Sequence, residues 1–123
     1  MKIDKDKMVE TMKAGEVIVI NILPKSDYKK LHIAGSESHP YADDPESFTK
    51  EVEEKHGKKK SFIVYGDHFG LLDSYLAAEA LESKGMQALN YSGGLREWHK
   101  AGLPVEGTEA VSPVPAPAVA AAE

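Results

Sequence analysis

Three short apolar runs constrain this chain more than any other feature. Val17-Ile18-Val19-Ile20-Asn21-Ile22 is nearly continuous and β-branched, and Phe62-Ile63-Val64-Tyr65 and Ala88 to Tyr91 repeat the theme more briefly. A run of this length without a polar alternate suits a strand covered on both faces, as in a parallel sheet, rather than a strand with one wet face. The segments between these runs carry helical spacing. Phe48 and Val52 form one inner stripe, and Leu76, Ala77, Ala80 and Leu81 form another, with Glu79, Glu82 and Lys84 facing outward. Strands separated by helix-bearing crossovers pair in parallel, so the chain is predicted to be an α/β domain of three layers. It should have a mostly parallel central sheet, helices on both faces, and adjacent core strands at Val17–Ile22, Phe62–Tyr65 and Ala88–Tyr91.

Local punctuation agrees with that order. Asp4 or Asp6 can cap a first helix bearing Met8, Val9 and Met12, and Gly15 suits its left-handed end. Pro24 stops the first strand, Ser26 to Leu31 reads as a short helix, and Asp43-Asp44-Pro45 opens another that Gly57 closes. Gly85 follows the helix Ser74 to Lys84, and Gly93-Gly94 leads into a last helix carrying Trp98, ended by Gly102 and Pro104. The domain is expected over residues 1–106. From Gly107 to Glu123 the sequence turns to alanine, proline and valine, the composition of a disordered tail or linker.

Composition excludes several functions. With 20 acidic against 15 basic residues the formal charge is −5, so no global positive field exists to gather nucleic acid or anionic lipid. The Lys58-Lys59-Lys60 run is read as a solvated strand entry. No apolar stretch has the length of a signal core or membrane span, and the expected setting is the cytoplasm. The chain has no cysteine, which removes disulfides, thiolate metal sites and thiol nucleophiles together. His32, His39, His56 and His99 lack two-ligand helical spacing, so neither a metal nor another cofactor is expected.

A set of anchors resembles the rhodanese family. Ile20-Asn21-Ile22, Tyr28, Leu31-His32-Ile33 and Ala34-Gly35 match it loosely. Phe62-Ile63-Val64-Tyr65, Ser74, Ala77-Ala78, Leu81 and Gly85 match better. The close is the most specific part, running through Tyr91-Ser92-Gly93-Gly94-Leu95, Trp98 and Ala101-Gly102-Leu103-Pro104-Val105. The resemblance implies a rhodanese-like fold over about residues 5 to 106. It also implies a site in the loop after the second core strand, where an active member carries a cysteine that accepts and passes on sulfur as a persulfide.

The departures fall on that chemistry. Gly66 stands where the cysteine is expected. Leu71 stands near the second cysteine of a long-loop variant, and Asn21 and Leu23 replace the usual aspartate and arginine. Persulfide chemistry is therefore impossible, although fold alone does not decide function. The ligand-binding loop is expected to comprise Gly66, Asp67, His68, Phe69, Gly70, Leu71, Leu72, Asp73 and Ser74. His68 with Asp67 or Asp73 could serve Ser74 as a nucleophile, but Ser74, like Asp73, reads first as a helix N-cap. The function expected is that of an inactive rhodanese-like module with a binding or regulatory role toward a protein or small anion. The alternative is a thiosulfate or persulfide sulfurtransferase whose active-site cysteine is replaced in this chain, whether naturally or by design.

Overall fold

The computed structural model describes residues 2–15, 17–68 and 72–110. Its centre is a five-stranded sheet of β1 (Lys2–Ile3), β2 (Val17–Asn21), β4 (Glu37–Ser38), β5 (Ser61–Tyr65) and β6 (Gln87–Tyr91), in the order β1-β6-β5-β2-β4. Every pairing in it is parallel. The three strands read from the sequence are its adjacent core, within a residue of their predicted bounds. The two-residue edges β1 and β4 carry too little pattern to be read in advance.

The inner strands alternate between two cores, which is why their sequences look continuously apolar. Ile20, Phe62, Val64 and Ala88 face one side, beneath Phe48 and Val52 of α3 (Pro45–His56) and Ala77, Ala78 and Leu81 of α4 (Leu72–Ser83). Val19, Ile63, Tyr65 and Tyr91 face the other, where Met8 of α1 (Lys5–Ala14) and Leu95 and Trp98 of α5 (Gly94–Lys100) cover them. The Trp98 indole N–H donates to the Pro104 carbonyl at 2.8 Å, so this buried ring also ties down the chain after α5. Asp4 accepts from the Lys7 amide and Asp44 from the Ser47 amide, capping α1 and α3 where the sequence placed their starts.

A small antiparallel ribbon lies beside the main sheet. In it β3 (His32–Ile33), which follows α2 (Lys25–Lys30), pairs with β7 (Val105–Glu106). Beyond β7 the Thr108 and Glu109 amides donate to the Lys29 and Lys30 carbonyls at 2.9 and 2.7 Å. Gly107 makes this possible, because its φ is +129° and a Cβ there would stand 2.5 Å from the Lys30 oxygen. The backbone is thus tied to α2 through residue 109, past the boundary expected at 106. The alanine- and proline-rich stretch from residue 111 lies outside the described residues.

Candidate functional site

The C-terminal ends of β2 and β5 meet at a buried polar hub. The register pairs Asn21 with Tyr65, and both side chains are fully buried. The Tyr65 hydroxyl accepts from Asn21 Nδ2 and from the Ile33 amide, each at 2.9 Å. The Ser36 hydroxyl donates to the Ile33 carbonyl at 2.7 Å, which leaves its oxygen to accept the Tyr65 proton at 2.8 Å. One phenol thus accepts two bonds and donates one, which is its full complement. Burial pushes the Tyr65 phenol up to about 12, against a smaller downward pull from Ser36, Asn21 and Ile33. Asn21 Oδ1 also accepts from the Leu23 amide at 2.9 Å and so fixes the turn out of β2.

One residue further on, the character of the chain changes. Gly66 is buried, Asp67 is half-buried and His68 is exposed. The Leu95 and Arg96 amides at the start of α5 donate to the Gly66 and Asp67 carbonyls at 2.9 and 2.8 Å. These N–H groups hold the loop from below, and an anion would have to draw on other donors. Gly94 permits the contact: its φ is +72°, and a Cβ would lie 2.8 Å from the His68 nitrogen and 2.9 Å from the Asp67 carbonyl carbon. A cleft of about 500 Å³ opens here, lined by Leu23, Asp27, Lys30, Leu31, Asp67, His68, Asp73 and Leu95. Among the described residues its charged lining holds three carboxylates and one ammonium, and Asp67 meets Arg96 Nε at 3.3 Å.

The expected loop is therefore partly assembled. Asp67, His68 and Asp73 line one cleft with Gly66 beneath Leu95, while Phe69, Gly70 and Leu71 lie outside the described residues. The N-cap reading of Ser74 and Asp73 is corrected. α4 begins at Leu72, so Asp73 and Ser74 are its second and third residues. Ser74 is 3% exposed within the first turn, which also withdraws it from service as a solvent-facing nucleophile. Leu72, the first described residue of α4, is 61% exposed, and an outward leucine gives no start signal. Asp73 still sits favourably near the positive end of the helix.

Histidines read as scattered divide into separate groups. His32 stacks on Tyr28 with ring centroids 3.7 Å apart and donates Nδ1–H to the Tyr28 carbonyl at 2.6 Å, so this bonding is local. His39 and His56 instead converge on Glu37, although 17 residues separate them. The signal for that convergence is the pairing of β4 with β2, which a linear reading does not contain.

The rhodanese-like domain profile matches residues 4–101. No curated protein matches the chain. Among solved structures, the BH2092 protein of Bacillus halodurans superposes with a TM-score of 0.77 at 24% identity, covering 88% of this chain and 77% of that one. A full-length protein from Lactobacillus plantarum gives 0.72 at 24%, covering 86% and 87%. The rhodanese-like domain of the Alr3790 protein from Anabaena, solved by NMR, gives 0.75 at 23%, covering 99% and 89%. These likenesses establish the fold. With the profile covering most of its length, the chain belongs to the rhodanese-like domain family.

Proposed function

We propose that this domain is a catalytically inactive rhodanese-like module that binds or regulates, with a protein or a small anion as its partner and the cytoplasm as its setting. The observation that carries the reading is the absence of any cysteine, with Gly66 at the end of β5 where the family's chemistry begins. Two further features support it. Leu23, at the place of the usual arginine, adds an apolar wall to the cleft, and the surplus of carboxylates there opposes a second anion. Asn21, at the place of the usual aspartate, is committed to the Tyr65 hub.

Thiosulfate:cyanide sulfur transfer tests the reading, run with the parent and with Gly66→Cys. Among the described residues Gly66 is not one with positive φ, so a side chain there does not force a strained backbone. On this reading the parent gives no turnover, and Gly66→Cys stays near background because Leu23 and the carboxylates remain. Strong turnover by Gly66→Cys alone favours the alternative, a sulfurtransferase site that lacks only its nucleophile. Turnover by the parent overturns the reading. For the ligand, sulfate titrated against the amide shifts of Gly66, Asp67, His68, Asp73 and Ser74 is expected to give a Kd on the order of millimolar or weaker. Micromolar binding would show that the carboxylates do not govern the cleft.

A further inference from the structure

Away from the loop, where the sheet edge β4 meets the C-terminal end of α3, two imidazoles and a carboxylate point at one another. Glu37 Oε2 lies 3.1 Å from His39 Nε2 and 2.8 Å from His56 Nε2, and the three ligand atoms all fall within 4.8 Å of one another. The far side of the His39 ring, Nδ1, bonds to the Glu51 carboxylate. His39 is 5% exposed, while Glu37 and Glu51 keep part of their surface in solvent. From this geometry we propose a binding site for a zinc-type divalent cation, ligated by His39 Nε2, His56 Nε2 and Glu37, with a solvent molecule as fourth ligand.

The donor set suits such an ion. Two imidazoles and one carboxylate are borderline ligands that favour Zn²⁺ over Mg²⁺ or Ca²⁺, and a three-residue set leaves one position open. With bonds of about 2.0–2.1 Å, tetrahedral ligand atoms stand roughly 3.3–3.5 Å apart, so the two Glu37–imidazole contacts would open by about half an ångström or less on average, and the three atoms already lie within 4.8 Å of one another. The Glu51–His39 bond is the outer contact that metal-bound histidines make, a carboxylate accepting Nδ1–H and turning Nε2 toward the ion. An ion bound at Nε2 leaves Nδ1–H of the His39 ring to donate to Glu51, so both carboxylates keep a partner.

The surroundings also fit. Lys55 Nζ is 3.4 Å from Glu37 Oε2, but its side chain is 55% exposed and can swing into solvent when a cation arrives. The His56 ring lies edge-on to Phe62, with centroids 5.8 Å apart, which fixes its orientation. Such an ion would join β4 to α3 across a connection that contains Ala42 and Asp43 at φ of +47° and +54°. It would stabilise that otherwise strained link.

The test uses the tag-free, metal-stripped full chain. Zn²⁺ titrated against a chromophoric chelator at pH 7.5 should bind one to one, with Kd on the order of micromolar. His39→Gln and His56→Gln should each weaken binding by at least about 30-fold and Glu51→Gln by about 10-fold. Lys55→Ala should tighten it and His99→Gln leave it unchanged. Zn²⁺ should also raise the unfolding temperature of the parent but not of the two histidine variants. Should a variant fail to fold, histidine ¹⁵N shifts of the unmodified protein decide: Nε2 of His39 and His56 must move with Zn²⁺ while His32, His68 and His99 stay put. Binding weaker than about 100 µM, or binding indifferent to His39 and His56, overturns the proposal.

Discussion

Tyr65 and Gly66 are neighbours in the chain, yet the structure treats the two sides of that peptide differently. Behind it, the phenol is held by Asn21, Ile33 and Ser36 in a buried network that fills its own hydrogen-bonding capacity. Ahead of it, the loop is anchored through the Gly66 and Asp67 carbonyls, and its charged side chains face a cleft open to water. The strand end is built for rigidity from groups that can do no sulfur chemistry. On the proposed function, the loop stands at the place of the family's chemistry and lacks the cysteine. The comparison then shows that a rigid strand end and an open loop can adjoin within one peptide, and that the fold alone does not decide what the loop does.

The sharpest way to break this comparison is to remove the hub. Tyr65→Phe deletes one hydroxyl but strands the Ile33 amide and the Asn21 side chain, both buried, and a buried donor without a partner costs about 1–3 kcal/mol. A loss of about 3 kcal/mol in urea unfolding is expected. A loss under about 1 kcal/mol would mean that the network does not hold the strand end. Next comes Gly94→Ala, which meets backbone atoms of Asp67 and His68 and demands a positive φ from alanine. It should cost about 2 kcal/mol and speed amide exchange at Leu95 and Arg96, whose bonds to the loop would be pushed apart.

A smaller effect should appear at alkaline pH. The folded Tyr65 phenol titrates at about 12 against an ordinary value of 10, so the folded state holds this proton more tightly than the unfolded chain. The stability it contributes is full below pH 10 and is lost as pH rises through 10 toward 12, amounting to about 1 kcal/mol by pH 11. Burial and then the Glu97 carboxylate push Tyr91 up as well, so wild type should weaken over the same window for both rings. The difference between wild type and Tyr65→Phe isolates the share of Tyr65. Identical pH slopes for the two proteins would show that Tyr65 does not titrate as a buried group.

The rigid side of this comparison was the more legible in sequence, and only in part. β2, β5 and β6 announce themselves because burial on both faces keeps their runs largely apolar, with Asn21 and Asn90 as buried exceptions. Asp4, Asp44 and Pro45 mark helix starts because orphan amides need acceptors. Asn21 appeared only as a departure from a family pattern. Its role as a donor to Tyr65 depends on the β2–β5 register, which no local signal encodes. Ser74 misled for the opposite reason, since a serine before an amphipathic run resembles a cap, and the helix already includes the exposed Leu72. Glu37, His39 and His56 were visible as residues but not as a group. Their meeting requires β4 to lie along β2 and α3 to return beside it, and two-residue strands leave no periodic trace.

The smallest expected effect concerns the loop's own charges. Asp67 and Arg96 approach to 3.3 Å, but their side chains are 38% and 73% exposed, and water and salt screen a pair so placed. Ordering two mobile side chains offsets much of what attraction remains, so such pairs contribute little. A double-mutant cycle with Asp67→Ala and Arg96→Ala should give a coupling below about 0.5 kcal/mol that fades with added salt. The backbone bond from the Arg96 amide to the Asp67 carbonyl survives both substitutions, so loop amide exchange should change little beside its change in Gly94→Ala. A coupling above about 1.5 kcal/mol would mean that side-chain charge fixes this loop as firmly as the hub fixes the strand end, and the contrast drawn across the Tyr65–Gly66 peptide would fail.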